Sequence, residues 1–185
     1  RMLVVGDSLS AEYGLQRHTG WVALLTQRLQ QQHPQAVVIN ASISGDTTSG
    51  GRSRLPALLK KHQPTHVLLE LGGNDALRGL PLSMTEANLT AMTQAAKDAG
   101  AKVTLLGMQV PPNYGTAYTK DFQQLYVRIA KTEQVALVPF FLKNVADAPQ
   151  PLALFQADRI HPNEKAQSLM LDNVWPVLLG QLKGK

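Results

Sequence analysis

The sequence predicts an α/β fold in which a parallel sheet of about five strands lies between layers of helices. Short apolar runs of strand length alternate along the chain with longer segments whose apolar residues recur at helical spacing. Regular alternation of this kind implies right-handed crossovers and a parallel sheet covered on both faces. The 185 residues suit one such domain, so we assign residues 1–185 to a single domain.

Each predicted element follows from one apolar run or one amphipathic segment. The predicted strands are residues 2–5, 36–40, 66–71, 102–106 and 136–138. The predicted helices are residues 20–32, 51–62, 83–99, 119–132 and 163–182, and we expect Pro176 to interrupt the last one because proline lacks the N–H that a helix interior uses.

Composition and charge exclude several classes of function. The formal net charge is +5 and the sequence pI is about 9.6, but the basic residues are scattered. The densest groups, "GRSRL" and "LKKHQ", lack interleaved aromatic residues that could stack on bases, which argues against a nucleic-acid partner. A solvated basic surface explains the charge, and a weak attraction to an anionic lipid surface or a phosphate-bearing substrate stays open. The absence of cysteine excludes disulfides, zinc thiolate sites and a cysteine nucleophile.

Polar loops after the predicted strands carry the functional signal. The first strand is followed by "GDSLS", the second by "SISGDTT" and the third by "LGGND", while "DRIHPN" precedes the last helix. In a parallel α/β sheet the carboxyl ends of the strands meet at one crevice, where ligands bind. We therefore expect these loops to meet at one site.

The residues in these loops suit nucleophilic catalysis. A serine hydroxyl needs a base to take its proton, and a histidine serves best when a carboxylate orients it. Asp158 lies three residues before His161 on a predicted tight turn, and Ser8 would meet the pair through the fold. Candidate donors for the oxyanion of the tetrahedral intermediate are the backbone N–H groups of Ser8 and Gly45 and the side-chain amide of Asn74.

Taken singly, each motif also has a plain structural explanation. Ser8 could cap a helix, "GGND" could form a turn, and Asp46 or Thr47 could cap the helix near Gly51. His161, before a proline, could be a helix-entry residue. The catalytic interpretation depends on all four motifs occurring in chain order at strand ends.

Competing classes are disfavoured by missing motifs. A conventional α/β-hydrolase should show G-x-S-x-G after several strands, and a phosphate-binding protein should show a glycine-rich phosphate loop; neither pattern occurs. The remaining alternative is a catalytically inactive lipid- or glycan-binding domain on the same fold.

The four motifs together resemble the four sequence blocks of the SGNH, or GDSL, hydrolase superfamily. The flanking text "NASISGDT", "RLPALLKKHQP", "ELGGNDALRG" and "PPNYG" is similar to the bacterial thioesterase I, protease I and lysophospholipase group and its arylesterase relatives. The resemblance implies a flavodoxin-like three-layer sandwich, no metal or other cofactor, and a small-molecule ester or thioester substrate: acyl-CoA, lysophospholipids, or aryl and fatty esters. It assigns Ser8 as nucleophile and oxyanion donor, Gly45 and Asn74 as further donors, His161 as base and Asp158 as its orienter.

The resemblance carries further expectations and two departures. It implies a periplasmic or secreted protein, which we expect to be a monomer. The loop of residues 109–115 would line the acyl groove, so Val110 and Pro111 are candidate substrate contacts. Glu12 and Arg159 stand where relatives usually carry glycine, and we expect them to affect substrate preference through charge at the mouth of the cleft.

Overall fold

A five-stranded parallel sheet forms the centre of the protein, whose computed structural model describes residues 1–183. The strands are β1 Met2–Gly6, β2 Val38–Asn40, β3 His66–Glu70, β4 Lys102–Leu106 and β5 Ala136–Val138. Their spatial order is β2-β1-β3-β4-β5, and every neighbouring pair is parallel. This is the flavodoxin-like order, so the predicted fold class is confirmed.

Helices cover both faces of this sheet. They are α1 Trp21–Gln32, α2 Thr48–His62, α3 Gly73–Leu77, α4 Leu82–Asp98, α5 Thr116–Glu133 and α6 Gln167–Lys183. Helices α1 and α6 pack against each other, and α2, α4 and α5 form the other layer. Within residues 1–183, no helix is both long and apolar enough to cross a membrane.

The core lies around the central strands β1 and β3. All five residues of β1 are buried, as are the last four of β3, and the register pairs Leu3 with Val67 and Gly6 with Glu70. A strand that is covered on both faces needs a nearly continuous apolar run, which is what the sequence shows at both places. Both strands end in polar loops at the same edge of the sheet.

The structure corrects three sequence-based expectations about helices. Pro176 lies inside α6 without interrupting it, because Met170, Val174 and Leu178 form a continuous buried face on both sides of the proline. The "GGND" segment, which we also considered as a turn, begins the short helix α3. Helix α2 begins at Thr48, earlier than predicted, with the Thr47 side chain accepting a hydrogen bond from the N–H of Gly50.

Candidate active site

The carboxyl ends of the strands open into a cleft of about 240 Å³. Ser8, Asn74 and His161 lie in its wall, and the apolar side chains of Leu77, Met108, Leu142 and Ile160 line the rest of it. The sequence analysis did not identify these four apolar residues, since each occurs in a loop or short helix without a periodic pattern. The cleft therefore combines a polar end with an apolar one.

Ser8, His161 and Asp158 form a continuous hydrogen-bonded path. The Nε2 atom of His161 lies 3.1 Å from Oγ of Ser8, and Nδ1 lies 2.5 Å from Oδ2 of Asp158. An imidazole that donates its Nδ1 proton to a carboxylate presents an unprotonated Nε2, which can accept the serine proton. The geometry is that of a nucleophile, a base and an orienting group.

Asp158 is held by the turn that carries the histidine. Its Oδ1 accepts hydrogen bonds from the N–H groups of Ile160 at 2.9 Å and His161 at 3.0 Å. The pKa of Asp158 is lowered from 3.8 to about 2. The hydrogen bond from the backbone N–H of His161 is the largest cause, and the bond from the His161 side chain is the next. The three-residue spacing thus lets one carboxylate bind both the backbone and the ring of the histidine.

Two further residues that the sequence analysis missed fix the histidine turn. The ring of Tyr13 lies over the imidazole of His161, with centroids 4.2 Å apart and planes tilted by 35°. Gln156 donates its Nε2 hydrogens to the carbonyl oxygens of Tyr13 and Pro162, and its N–H bonds the carbonyl of His161 at 2.7 Å. These contacts join the loop after β1 to the loop before α6, and no sequence motif indicated them.

Candidate donors for an oxyanion lie on three of the strand-end loops. The N–H groups of Ser8 and Gly45 donate to no acceptor in the part of the chain that the structure describes. The Asn74 amide donates to the carbonyl of Asp46 at 2.9 Å and to Oδ2 of Asp7 at 3.3 Å. Asn74 lies in the wall of the cleft with Ser8, whereas Gly45, with a positive φ of 81°, lies on the adjacent turn next to Asp46.

A partly buried arginine anchors the turn that carries Gly45. Arg54 forms an ion pair with Asp46 at 2.8 Å and donates to the carbonyls of Ala41 and Gly6. It belongs to "GRSRL", which the sequence analysis interpreted as part of a solvated basic surface. For this residue the interpretation was wrong, because its guanidinium links the ends of β1 and β2. Arg78, from the end of α3, also donates to the carbonyl of Gly45 at 3.0 Å.

Val110 and Pro111 do not line the cleft that contains Ser8. They lie with Phe140 in an adjoining cleft of about 280 Å³, formed by the loops after β4 and β5. Successive residues of one loop line the two clefts: Met108 lines the cleft that contains Ser8, and Gln109 lines the adjoining one. The structure thus places the two predicted substrate contacts beside the candidate site.

Glu12 and Arg159, the two departures from the family pattern, share one backbone feature. Both have a φ of 60°, in the left-handed region that favours glycine. The Glu12 carboxylate accepts hydrogen bonds from the N–H groups of His18 and Gly20, both at 3.0 Å, so its own loop uses that charge. Arg159 is exposed between Asp158 and Ile160.

The chemistry of the site can be read from its donors and acceptors. Within residues 1–183, no group of three or more His, Asp or Glu side chains is placed to hold a metal ion. The site combines a serine hydroxyl that bonds a histidine with a carboxylate that bonds the same histidine. On a flavodoxin-like sheet, this combination defines a serine hydrolase.

The chain belongs to the GDSL-like lipase/acylhydrolase family, whose sequence profile matches residues 4–169. It is 51% identical over 177 residues to the esterase TesA of Pseudomonas aeruginosa, covering 96% of this chain and 87% of that one. It is 46% identical over 171 residues to the thioesterase 1/protease 1/lysophospholipase L1 of Escherichia coli K12, covering 92% of this chain and 79% of that one. The psychrotrophic esterase EstA from Pseudoalteromonas sp., solved in a form inhibited by monoethylphosphonate, matches with a TM-score of 0.91 and 42% identity over 99% of this chain and 98% of that one. The protein is therefore an ester hydrolase of the SGNH type.

Proposed function

We propose that the enzyme cleaves acyl esters and thioesters through an acyl-enzyme on Ser8, with His161 as base and Asp158 as its orienter. The observation that carries this proposal is the hydrogen-bonded path from Asp158 through His161 to Ser8, which ends in a cleft with apolar walls. No comparable path reaches any other serine among residues 1–183, since His161 is the one histidine there whose ring bonds a serine hydroxyl.

The first half of the reaction forms the acyl-enzyme. Oγ of Ser8 attacks the carbonyl carbon of the substrate while its proton moves to Nε2 of His161. The imidazolium, stabilised by the Asp158 carboxylate, then donates that proton to the departing alcohol or thiol. In the second half His161 removes a proton from a water molecule, which attacks the acyl carbon. The bond from that carbon to Oγ of Ser8 then breaks, the imidazolium returns its proton to Oγ, and the carboxylic acid is released.

The oxyanion formed in both halves needs fixed donors. The unpaired N–H groups of Ser8 and Gly45 are suited to this, because they have no acceptor to give up among the described residues. Asn74 donates both amide hydrogens within the protein, and its 3.3 Å bond to Asp7 is the longer and weaker of the two. We infer that this hydrogen is shared with the oxyanion, while the bonds to Asp7 and Asp46 keep the amide in place.

The apolar end of the cleft suits the acyl part of the substrate. Leu77 and Ile160 line it although their residues are 58% and 56% exposed, so an acyl chain would bury apolar surface that now faces water. Val110 and Pro111, in the adjoining cleft, would contact only a chain long enough to leave the first one. Acyl-CoA, lysophospholipids, and aryl and fatty esters are the substrate classes we propose, in keeping with relatives that are named as an esterase, an arylesterase and a thioesterase 1/protease 1/lysophospholipase L1.

The surroundings of the cleft suggest where the enzyme works. Arg78 and Arg159 are exposed and adjoin Leu77 and Ile160 in the chain, which supports a weak contact with an anionic lipid surface. With vesicles rich in phosphatidylglycerol, Arg159→Gln should weaken co-sedimentation and the remote Lys131→Gln should not. We further propose a monomer that acts in the periplasm or outside the cell. Light scattering tests the first point, and fractionation of cells that produce the protein tests the second.

The test of the proposed function is hydrolysis of p-nitrophenyl esters from acetate to palmitate by the wild-type protein and by Ser8→Ala. We expect turnover in the wild type and a loss of about 10⁴-fold or more in the variant, with unchanged folding. Equal turnover in both proteins would remove Ser8 from the mechanism. Absence of turnover at every chain length would favour the inactive binding domain instead.

A further inference from the structure

Glu70 is a buried carboxyl group to which the proposed reaction gives no role. It ends β3, is 1% exposed, and is paired in register with Gly6 of β1, two residues before the nucleophile. A Cβ on Gly6 would lie 2.7 Å from Oε1 of Glu70, so the glycine leaves the space that the carboxyl group occupies. The side chain therefore lies directly against the turn that carries Ser8.

One oxygen of Glu70 bonds both sides of that turn. Oε1 accepts a hydrogen bond from the hydroxyl of Ser10 at 2.6 Å and from the N–H of Asp7 at 3.3 Å. The Ser10 hydroxyl in turn accepts from Nε1 of Trp21 at 3.1 Å. Since Ser8 lies between these two attachment points, movement of Glu70 would move the nucleophile.

Asp7 extends the contacts of Glu70 to the oxyanion donors. The Oδ1 atom of Asp7 accepts from the N–H of Leu9 at 3.0 Å, and Oδ2 accepts from the amide of Asn74 at 3.3 Å. The backbone N–H of Asp7, which donates to Oε1 of Glu70, links the two residues. The network thus reaches both the residue after Ser8 and Asn74.

The surroundings of Glu70 favour its neutral form. Neither Glu70 nor Asp7 forms an ion pair with a Lys or Arg among residues 1–183, and Oε2 of Glu70 has no hydrogen-bond partner there. Burial, and then the neighbouring charge of Asp7, raise the pKa of Glu70 well above its ordinary value. Burial also raises the pKa of Asp7, but less than that of Glu70, because the N–H groups of Leu9 and Asn74 donate to the Asp7 carboxylate and favour its charged form.

We propose that neutral Glu70 is a positioning residue for the nucleophile: it holds the turn of residues 7–10 and, through Asp7, the amide of Asn74. This inference rests on the proposed function, because it concerns the same serine. It goes beyond the triad in assigning a role to a carboxyl group that never touches the substrate.

The decisive comparison is between Glu70→Gln and Glu70→Leu. Glutamine keeps the acceptor for Ser10 and Asp7 and has an N–H in place of the acid O–H, so it imitates neutral glutamic acid. We expect kcat for a p-nitrophenyl ester to stay within about threefold of wild type in Glu70→Gln, while Glu70→Leu loses about 10²-fold with little change in KM. The rate of Ser8 labelling by an alkyl phosphonate should fall in parallel with kcat, because both depend on the attacking oxygen.

Controls separate positioning from simple loss of stability. Glu133→Gln alters another buried carboxyl group, which ends α5 and forms an ion pair with Lys97 of α4. This variant should leave kcat unchanged. If Glu70→Leu does not fold, Ser10→Ala removes one of the two bonds to Oε1 and should lower kcat about tenfold at constant KM. The proposal is overturned if Glu70→Gln is as slow as Glu70→Leu, or if the folded Leu variant or Ser10→Ala keeps wild-type kcat. A wild-type protein without Ser8-dependent turnover would instead contradict the proposed function.

Discussion

The Nε2 atom of His161 lies 3.1 Å from Oγ of Ser8, although 153 positions separate the two residues in the chain. Ser8 follows the first strand, and His161 belongs to the turn before the last helix. Both are brought to the carboxyl edge of the sheet, where Gln156 and Tyr13 join their loops. The contact that the proposed chemistry needs therefore forms where the loop after the first strand meets the turn before the last helix.

The pH dependence of activity should have an acid limb caused by His161. Protonation of Nε2 removes the acceptor for the serine proton, and an imidazole ordinarily changes charge between pH 5 and 8. The pKa of Asp158, lowered to about 2, keeps that carboxylate ionised throughout this range, so it adds no second step. A profile of kcat/KM against pH checks this, and a flat profile between about pH 5 and 8 would exclude His161 as the base.

The lowered pKa of Asp158 also has a consequence for stability. Because the pKa of Asp158 in the folded protein lies below its ordinary value of 3.8, ionised Asp158 favours the folded state above that pH. The contribution is lost as the pH falls through about 2. In urea unfolding, the difference between wild type and Asp158→Asn should therefore shrink as the pH is lowered below about 4. A difference that grows on acidification would contradict this sign.

Asp158→Asn should reduce kcat by about 10³-fold or more while leaving the fold intact. An amide oxygen can still accept from the backbone of Ile160 and His161, but an amide N–H facing Nδ1 would favour the wrong tautomer of the ring. The matched control is Asp172→Asn, which removes an exposed ion pair with Arg28 far from the cleft. Equal kcat in the two variants would mean that Asp158 does not orient the base.

Asn74→Ala should lower kcat by about 10² to 10³-fold with a small effect on KM, as expected for a donor that acts mainly in the transition state. The same variant removes the bond to the carbonyl of Asp46, so its unfolding in urea must be measured beside its kinetics. A large rise in KM at unchanged kcat would indicate that Asn74 binds the ground state instead.

Acyl-chain preference should distinguish the two clefts. Leu77→Ala removes apolar surface beside Ser8 and should lower kcat/KM for both short and long p-nitrophenyl esters. Val110→Ala alters the adjoining cleft and should affect only the longest chains. If Val110→Ala left the ratio of kcat/KM for the palmitate ester to kcat/KM for the acetate ester unchanged, the predicted substrate role of that residue would be wrong.

The two left-handed residues should respond in opposite directions to glycine. Arg159→Gly relieves an unfavourable φ of 60° and should stabilise the fold by up to about 1 kcal/mol. Glu12→Gly relieves the same φ but loses the acceptor of two backbone N–H groups, so it should lower stability by about 1 kcal/mol. Urea unfolding of both variants checks this, and equal shifts would mean that the Glu12 carboxylate contributes nothing.

The α/β class could be predicted from the sequence alone, because apolar strands covered on both faces need nearly continuous apolar runs, and amphipathic helices need helical spacing. The candidate site residues could be predicted as well, since Ser8 and Asn74 stand in short motifs after strands, and Asp158 and His161 stand in the short motif before the last helix. Local patterns of this kind are visible in one dimension.

Which side chains contact each other across the fold could be seen in the tertiary structure alone. The bonds of Glu70 to Ser10, of Arg54 to the carbonyl of Gly6 and of Gln156 to the carbonyl of Tyr13 join residues 60, 48 and 143 positions apart. The separation of Val110 and Pro111 from the Ser8 cleft, and the continuation of α6 through Pro176, likewise follow from packing. Burial and long-range hydrogen bonds depend on the relative position of whole elements, which no short stretch of sequence encodes.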